Sequence, residues 1–180
     1  FFNKHFMDYT TTIGSTVYFA SAAKVKLAPV GSTVVLMHEL SHIYNAGKSK
    51  RLNLVLYAFP QILALLAIPF FFLWGLLPAL LCLLFLLPIP SYFRMIEERQ
   101  AYIISLYVLN KLNNTQGFNI NLDTHKRSFV EEFAGSNYYY MWPIPGIKES
   151  FDTALAEIKA GGQPTYDPEL YALLDNILVT

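Results

Sequence analysis

The chain has 180 residues, with 13 Lys and Arg balanced by 13 Asp and Glu. A net charge of zero leaves no basic footprint for a nucleic-acid partner, and a single cysteine excludes an internal disulfide. Hydrophobic residues make up 54% and aromatic residues 16%, more than an ordinary soluble domain of this size carries, so a membrane protein is expected.

The chain opens Phe1-Phe2-Asn3-Lys4-His5-Phe6, with no initiator Met and none of the long apolar core of a signal peptide. It is read as a piece with residues missing upstream. Tyr9 to Phe19 is rich in β-branched and aromatic residues around Gly14-Ser15, which predicts a small β-hairpin.

Next comes a helix pattern, Gly31-Ser32-Thr33-Val34-Val35-Leu36-Met37, with Ser32 or Thr33 as its cap and Gly47 as its stop. Within it stands His38-Glu39-Leu40-Ser41-His42, which fits the pattern H-E-x-x-H. Residues four apart share one helix face, one turn above each other. His38 and His42 can therefore bind one ion, which for two imidazoles in this pattern is Zn2+. Glu39, beside them, can take a proton from the attacking water.

No charged residue occurs from Leu52 through Phe93, a run of 42 residues. Only Asn53, Gln61 and Ser91 in it are clearly polar. As one helix it would span about 63 Å at ~1.5 Å per residue, against a hydrocarbon layer of about 30 Å. A transmembrane or re-entrant helical hairpin is expected, turning near Trp74-Gly75-Leu76-Leu77-Pro78 and kinked by Pro60, Pro69 and Pro88. Lys48, Lys50 and Arg51 precede the run and Arg94 and Arg99 follow it. The positive-inside rule then places both ends, and the site, on the cytoplasmic side of an inner membrane. Cys82 lies inside the run and is read as packing.

A hydrolytic zinc site needs a third protein ligand, with one position left open. No further His follows at short spacing, but Ile96-Glu97-Glu98-Arg99-Gln100-Ala101-Tyr102 offers a carboxylate. Glu98 is preferred, because Ala101 three residues on lets two helices approach closely; Glu97 is the reserve. His38, His42 and Glu98 can meet only if the chain between them doubles back.

HELSH followed by ERQAY on a later helix resembles the gluzincin metallopeptidases. With an apolar hairpin between the two motifs, it resembles their integral-membrane members, the CAAX prenyl-protein proteases and the bacterial quality-control membrane proteases. The resemblance covers about residues 10–110. The chain is shorter than those members, and Tyr102 stands where many of them carry an Asp that supports a metal ligand. The resemblance implies a peptidase with Zn2+ on His38, His42 and Glu98. It also implies a strand beside the metal helix that captures extended substrate, here Thr16 to Phe19.

The Glu98 helix is expected to run to Asn113-Asn114 and break at Gly117. Asp123 is then expected to cap a helix through Phe133 that Gly135 stops. Tyr138, Tyr139 and Tyr140 suit an interface belt or a wall over a cleft. One of them, or His125, can donate to a developing oxyanion. Two short helices follow, Ile147 to Ala160 and one starting at Pro168 after Asp167.

The sequence thus predicts a mainly α membrane protein with a small N-terminal β-hairpin and one catalytic unit. Residues 1–51 carry the hairpin and HExxH helix, 52–93 the membrane hairpin, and 94–180 the third-ligand helix and a helical region. The expected function is a membrane-embedded zinc endopeptidase acting on peptides or membrane proteins, with the lipid bilayer as its other partner. The alternative is a catalytically inactive, membrane-anchored interaction protein that keeps the fold. No oligomeric state follows from the sequence.

Overall fold

Two short strands, β1 (Thr11–Ile13) and β2 (Thr16–Tyr18), pair antiparallel, with Thr12 opposite Val17. The structure, a computed structural model, describes residues 10–13, 15–19, 21, 25–26, 28–48, 50–87, 89–135, 142–164 and 167–179. The rest of the described chain is mainly helical.

Helix α1 (Pro29–Lys48) begins at a proline, whose fixed φ suits a first helical position and whose missing N–H costs nothing there. Ser32 and Thr33 therefore lie inside the helix rather than capping it, and the Thr33 hydroxyl donates back to the Pro29 carbonyl (3.0 Å). Gly47 does not stop the helix, which runs on to Lys48. Helix α2 (Lys50–Tyr57) follows.

The uncharged run is not a pair of long helices. It contains a 3₁₀ stretch (Gln61–Leu66), α3 (Ala67–Trp74), α4 (Leu76–Leu83) and a second 3₁₀ turn (Leu84–Leu86). Pro69 and Pro78 are each the third residue of an eight-residue helix, in the first turn, where a missing N–H is tolerated. Gly75 separates the two helices at φ +88°, a conformation that side chains other than glycine's rarely adopt. An eight-residue helix reaches about 12 Å, and about 20 residues are needed to cross. Among the described residues no helix is long and apolar enough to cross a membrane. The expected transmembrane hairpin, and with it the integral-membrane fold and inner-membrane placement, is thereby overturned. Hydropathy counts apolar residues; it does not register that prolines and a glycine at positive φ punctuate them into short pieces. Pro88 lies outside the described residues.

The broken run still folds back on itself. The small residues Ala64, Ala79 and Cys82 are buried between its arms and let α3 and α4 pack side by side. Its few polar groups close the base. Gln61 Nε2 donates to the Ile89 carbonyl (3.2 Å), and Ser91 Oγ donates to the Phe59 carbonyl (2.5 Å).

Helix α5 (Tyr92–Gln116) is the central element and ends at Gly117, which takes φ +70° as its cap. Helix α6 (Leu122–Ala134) is capped by Asn121, whose side chain accepts from the Thr124 N–H (3.0 Å), rather than by Asp123. Asp123 instead pairs with Lys159 at 2.8 Å. Helix α7 (Ile144–Lys159) and helix α8 (Pro168–Val179) complete the chain.

One core forms where α5, α6, α7 and α8 meet, around Phe133, Phe151 and Tyr171. A second joins α1 to α5 and α8 through Met37, Ile104, Val108 and Leu174. The second core fixes α1 along α5, and that pairing positions the site.

Candidate metal centre

His38 and His42 lie on the face of α1 that packs against α5, where Glu98 projects from the facing helix. Ala101 is fully buried at this contact, one turn beyond Glu98. A larger side chain there would push the helices apart and separate the carboxylate from the imidazoles.

Three atoms converge. His38 Nε2 and His42 Nε2 are 3.3 Å apart. Glu98 Oε2 is 3.5 Å from the first and 3.6 Å from the second. A tetrahedral zinc ion bound at about 2.0–2.1 Å holds its ligand atoms about 3.3–3.4 Å from one another. The triangle therefore has the size that such an ion requires. Glu98 is 3% exposed, and its Oε2 is buried without a hydrogen-bond partner. Contacts of 3.5–3.6 Å are too long to be good hydrogen bonds. A buried carboxylate oxygen with no donor is costly unless something else satisfies it, and a cation at the triangle's centre does so. The residues fit a zinc ion, with two neutral nitrogens and one carboxylate as donors.

Neighbouring groups orient each ligand. The Tyr57 hydroxyl, from α2, donates to the other Glu98 oxygen, Oε1, at 2.5 Å. Ser105 Oγ lies 3.4 Å from His38 Nδ1 and also donates to the Ala101 carbonyl. The Tyr102 ring packs edge-on against the His38 ring at 4.7 Å between centroids. Fixing the far atom of a ligand sets which atom faces the metal.

The electrostatics are those of a site built around Glu98. Burial alone would raise its pKa, but contacts with His38 and His42 outweigh this and hold the carboxyl well below its usual range. Burial lowers the His42 pKa; the Glu98 carboxylate overcomes that and raises it. Burial first, and the Glu98 charge second, push the Tyr57 phenol well above its ordinary value, so it stays protonated and donates.

Glu39 is half-buried beside the cluster, close enough for its charge to act on His42 and Tyr57. Its Oε2 accepts a 2.6 Å hydrogen bond from the Thr12 hydroxyl of β1. The β-hairpin thus reaches the site through Thr12 of β1. Glu97, the reserve ligand, points elsewhere and accepts from Asn45 Nδ2 at 2.9 Å. His125 packs near Phe129 on α6 and is not part of the cluster. His5 and Tyr138 to Tyr140 lie outside the described residues.

Sequence reasoning missed Tyr57, Ser105 and Thr12. Ser105 had a readable signal, since positions 98, 101 and 105 follow the spacing of one helix face. Tyr57 and Thr12 had none, because their partners come from distant elements. No family model matches this chain, and comparison with curated proteins and with solved structures finds no match.

Proposed function

We propose that the chain is a zinc-dependent endopeptidase of the gluzincin type, with His38, His42 and Glu98 as metal ligands and Glu39 as general base. The observation that carries this reading is the donor-free Oε2 of Glu98 facing two imidazole nitrogens at 3.5 and 3.6 Å, with Glu39 next to one of them in sequence. When bound, zinc supplies a Lewis acid that polarises the peptide carbonyl and makes water acidic enough to attack.

The chain's own residues do the rest. Tyr57 holds Glu98 Oε1 and so turns Oε2 inward. Ser105 holds His38 at Nδ1 and leaves Nε2 as the donor atom. Glu39 takes one proton from water as its oxygen joins the carbonyl carbon, and returns that proton to the amine nitrogen as the C–N bond breaks. Thr12 donates to Oε2 of Glu39 and does not engage Oε1, so this hydrogen bond orients the base and leaves its other oxygen to take the proton.

The test compares the parent with Glu39→Gln on a broad peptide library, with zinc content measured by native mass spectrometry. The expected result is one zinc per chain in both and a loss of about 10³-fold in cleavage rate for the variant. Glu98→Ala is expected to lose the zinc. Equal processing by parent and Glu39→Gln, or a parent that takes up no zinc at micromolar metal, rejects the proposal.

A further inference from the structure

The finger formed by residues 61–86 is exposed on all sides. Phe71, Phe72, Leu73 and Trp74 are 51%, 79%, 67% and 63% exposed. Four consecutive helical residues at about 100° each point almost all the way around the axis. None of α3 is buried. On α4, Leu76, Leu77, Leu80, Leu81 and Leu83 are exposed as well. A protein partner or a second copy covers one face of such a finger. Only a surrounding apolar medium covers all of it.

Two further observations define that medium. No Asp or Glu occurs from Leu40 through Ile96, whereas Lys48, Lys50, Arg51 and Arg94 fall within that stretch, just outside the apolar run. Lys48 is paired with Asp167, but Lys50, Arg51 and Arg94 flank the two ends of the run with no acidic residue between them in sequence, the complement of anionic headgroups. The length also matches. Six 3₁₀ residues at about 2.0 Å and eight α-helical residues at about 1.5 Å make an arm of about 24 Å, and the return arm is shorter. That is shorter than a hydrocarbon layer about 30 Å thick, so arms that turn back at Gly75 enter such a layer from one side without traversing it.

We infer that residues 61–86 are a lipid anchor that enters an anionic phospholipid surface from one side without crossing it, with Trp74 and Leu77 at its deep end. The anchor does not depend on the metal reading. It does set the neighbourhood of the candidate site. Ser91 closes the finger's base, and Glu98 lies seven residues further along α5, about 10 Å along the axis. Arg94 stacks over the Tyr57 ring at 5.1 Å and donates to the Tyr57 carbonyl, so the base of the anchor and the support of Glu98 share a residue.

The test is cell-free synthesis of the full chain with vesicles of phosphatidylcholine and phosphatidylglycerol (7:3), followed by flotation. The parent is expected to float, and Phe72→Glu combined with Leu77→Glu to float at least tenfold less. Both positions are exposed, so the fold does not depend on them. Pure phosphatidylcholine is expected to recover several-fold less parent. In a Trp142→Phe background, Trp74 fluorescence is expected to be quenched more by bromine deep in the acyl chain than by bromine near the headgroup. A parent that stays at the bottom of the gradient overturns the inference. So do equal flotation of parent and double variant, a Trp74 that lipid bromine does not quench, and a discrete dimer that forms without lipid and is lost in the double variant. Flotation is expected to survive Glu98→Ala, which separates failure of the anchor from failure of the metal site.

Discussion

Two regions of this molecule carry large apolar side chains and treat them in opposite ways. In the C-terminal helices Phe133, Phe151, Leu170 and Tyr171 are 0% exposed, whereas in the finger Phe72 and Leu77 are 79% and 71% exposed. Pattern makes the difference together with composition, since the finger carries no charged residue. Along α7, Ile147, Phe151, Ala154, Leu155 and Ile158 alternate with charged residues at helical spacing, so that helix has one dry and one wet face. The finger is apolar all round and has no wet face. Packing one side of it inside the chain leaves the other side bare. What this teaches is that a hydrophobic sum predicts neither a core nor a crossing; the period and the length of unbroken helix decide.

The largest expected effect tests the buried side of this contrast. Phe151→Ala is expected to cost about 3–5 kcal/mol, read from the denaturant midpoint at unchanged slope. A cost below 1 kcal/mol would show that the C-terminal core is no better packed than the finger. Next in size is metal linkage. Zinc at 100 times its Kd is expected to raise unfolding stability by about 2.7 kcal/mol, an increment that a chelator or Glu98→Ala removes. Tyr57→Phe keeps the ring and deletes the hydroxyl. It is expected to weaken zinc binding by roughly 10–100-fold in a chelator-competition titration.

The pieces of the fold that were legible in the sequence carry their own punctuation. Gly117 and Pro168 mark helix ends because left-handed backbone and a fixed φ are properties of single residues. The approach of Glu98 to the HELSH helix was readable because Ala101 marks a close contact. The finger's architecture was not, since a run of 42 uncharged residues reads as membrane-spanning to any windowed sum. Its prolines change helix length rather than polarity. The cap of α6 was misplaced by two residues, because Asn121 and Asp123 are both good caps and only tertiary pairing with Lys159 separates their roles. The supports from Tyr57 and Thr12 depend on long-range folding that no local pattern encodes.

Smaller effects sharpen the comparison further. Asn121→Ala is expected to cost about 1 kcal/mol in the same unfolding assay, through one lost cap hydrogen bond. Phe72→Ala, deleting an aromatic ring from the finger, is expected to change the stability of the lipid-free chain by less than about 0.5 kcal/mol. A cost comparable to that of Phe151→Ala would mean that the ring is buried in solution and that the two regions are alike.

The separation of His42 from Glu98 along the chain has a mechanical consequence. An ion gripping both residues ties off a loop that contains the whole finger. By the chain-entropy relation for cross-links, closing a loop of this length removes about 4 kcal/mol of disorder from the unfolded chain, as much as a good disulfide. In a chain whose one thiol, Cys82, sits alone inside that loop, the two imidazoles and the carboxylate would, with an ion bound, take over the work of a clasp.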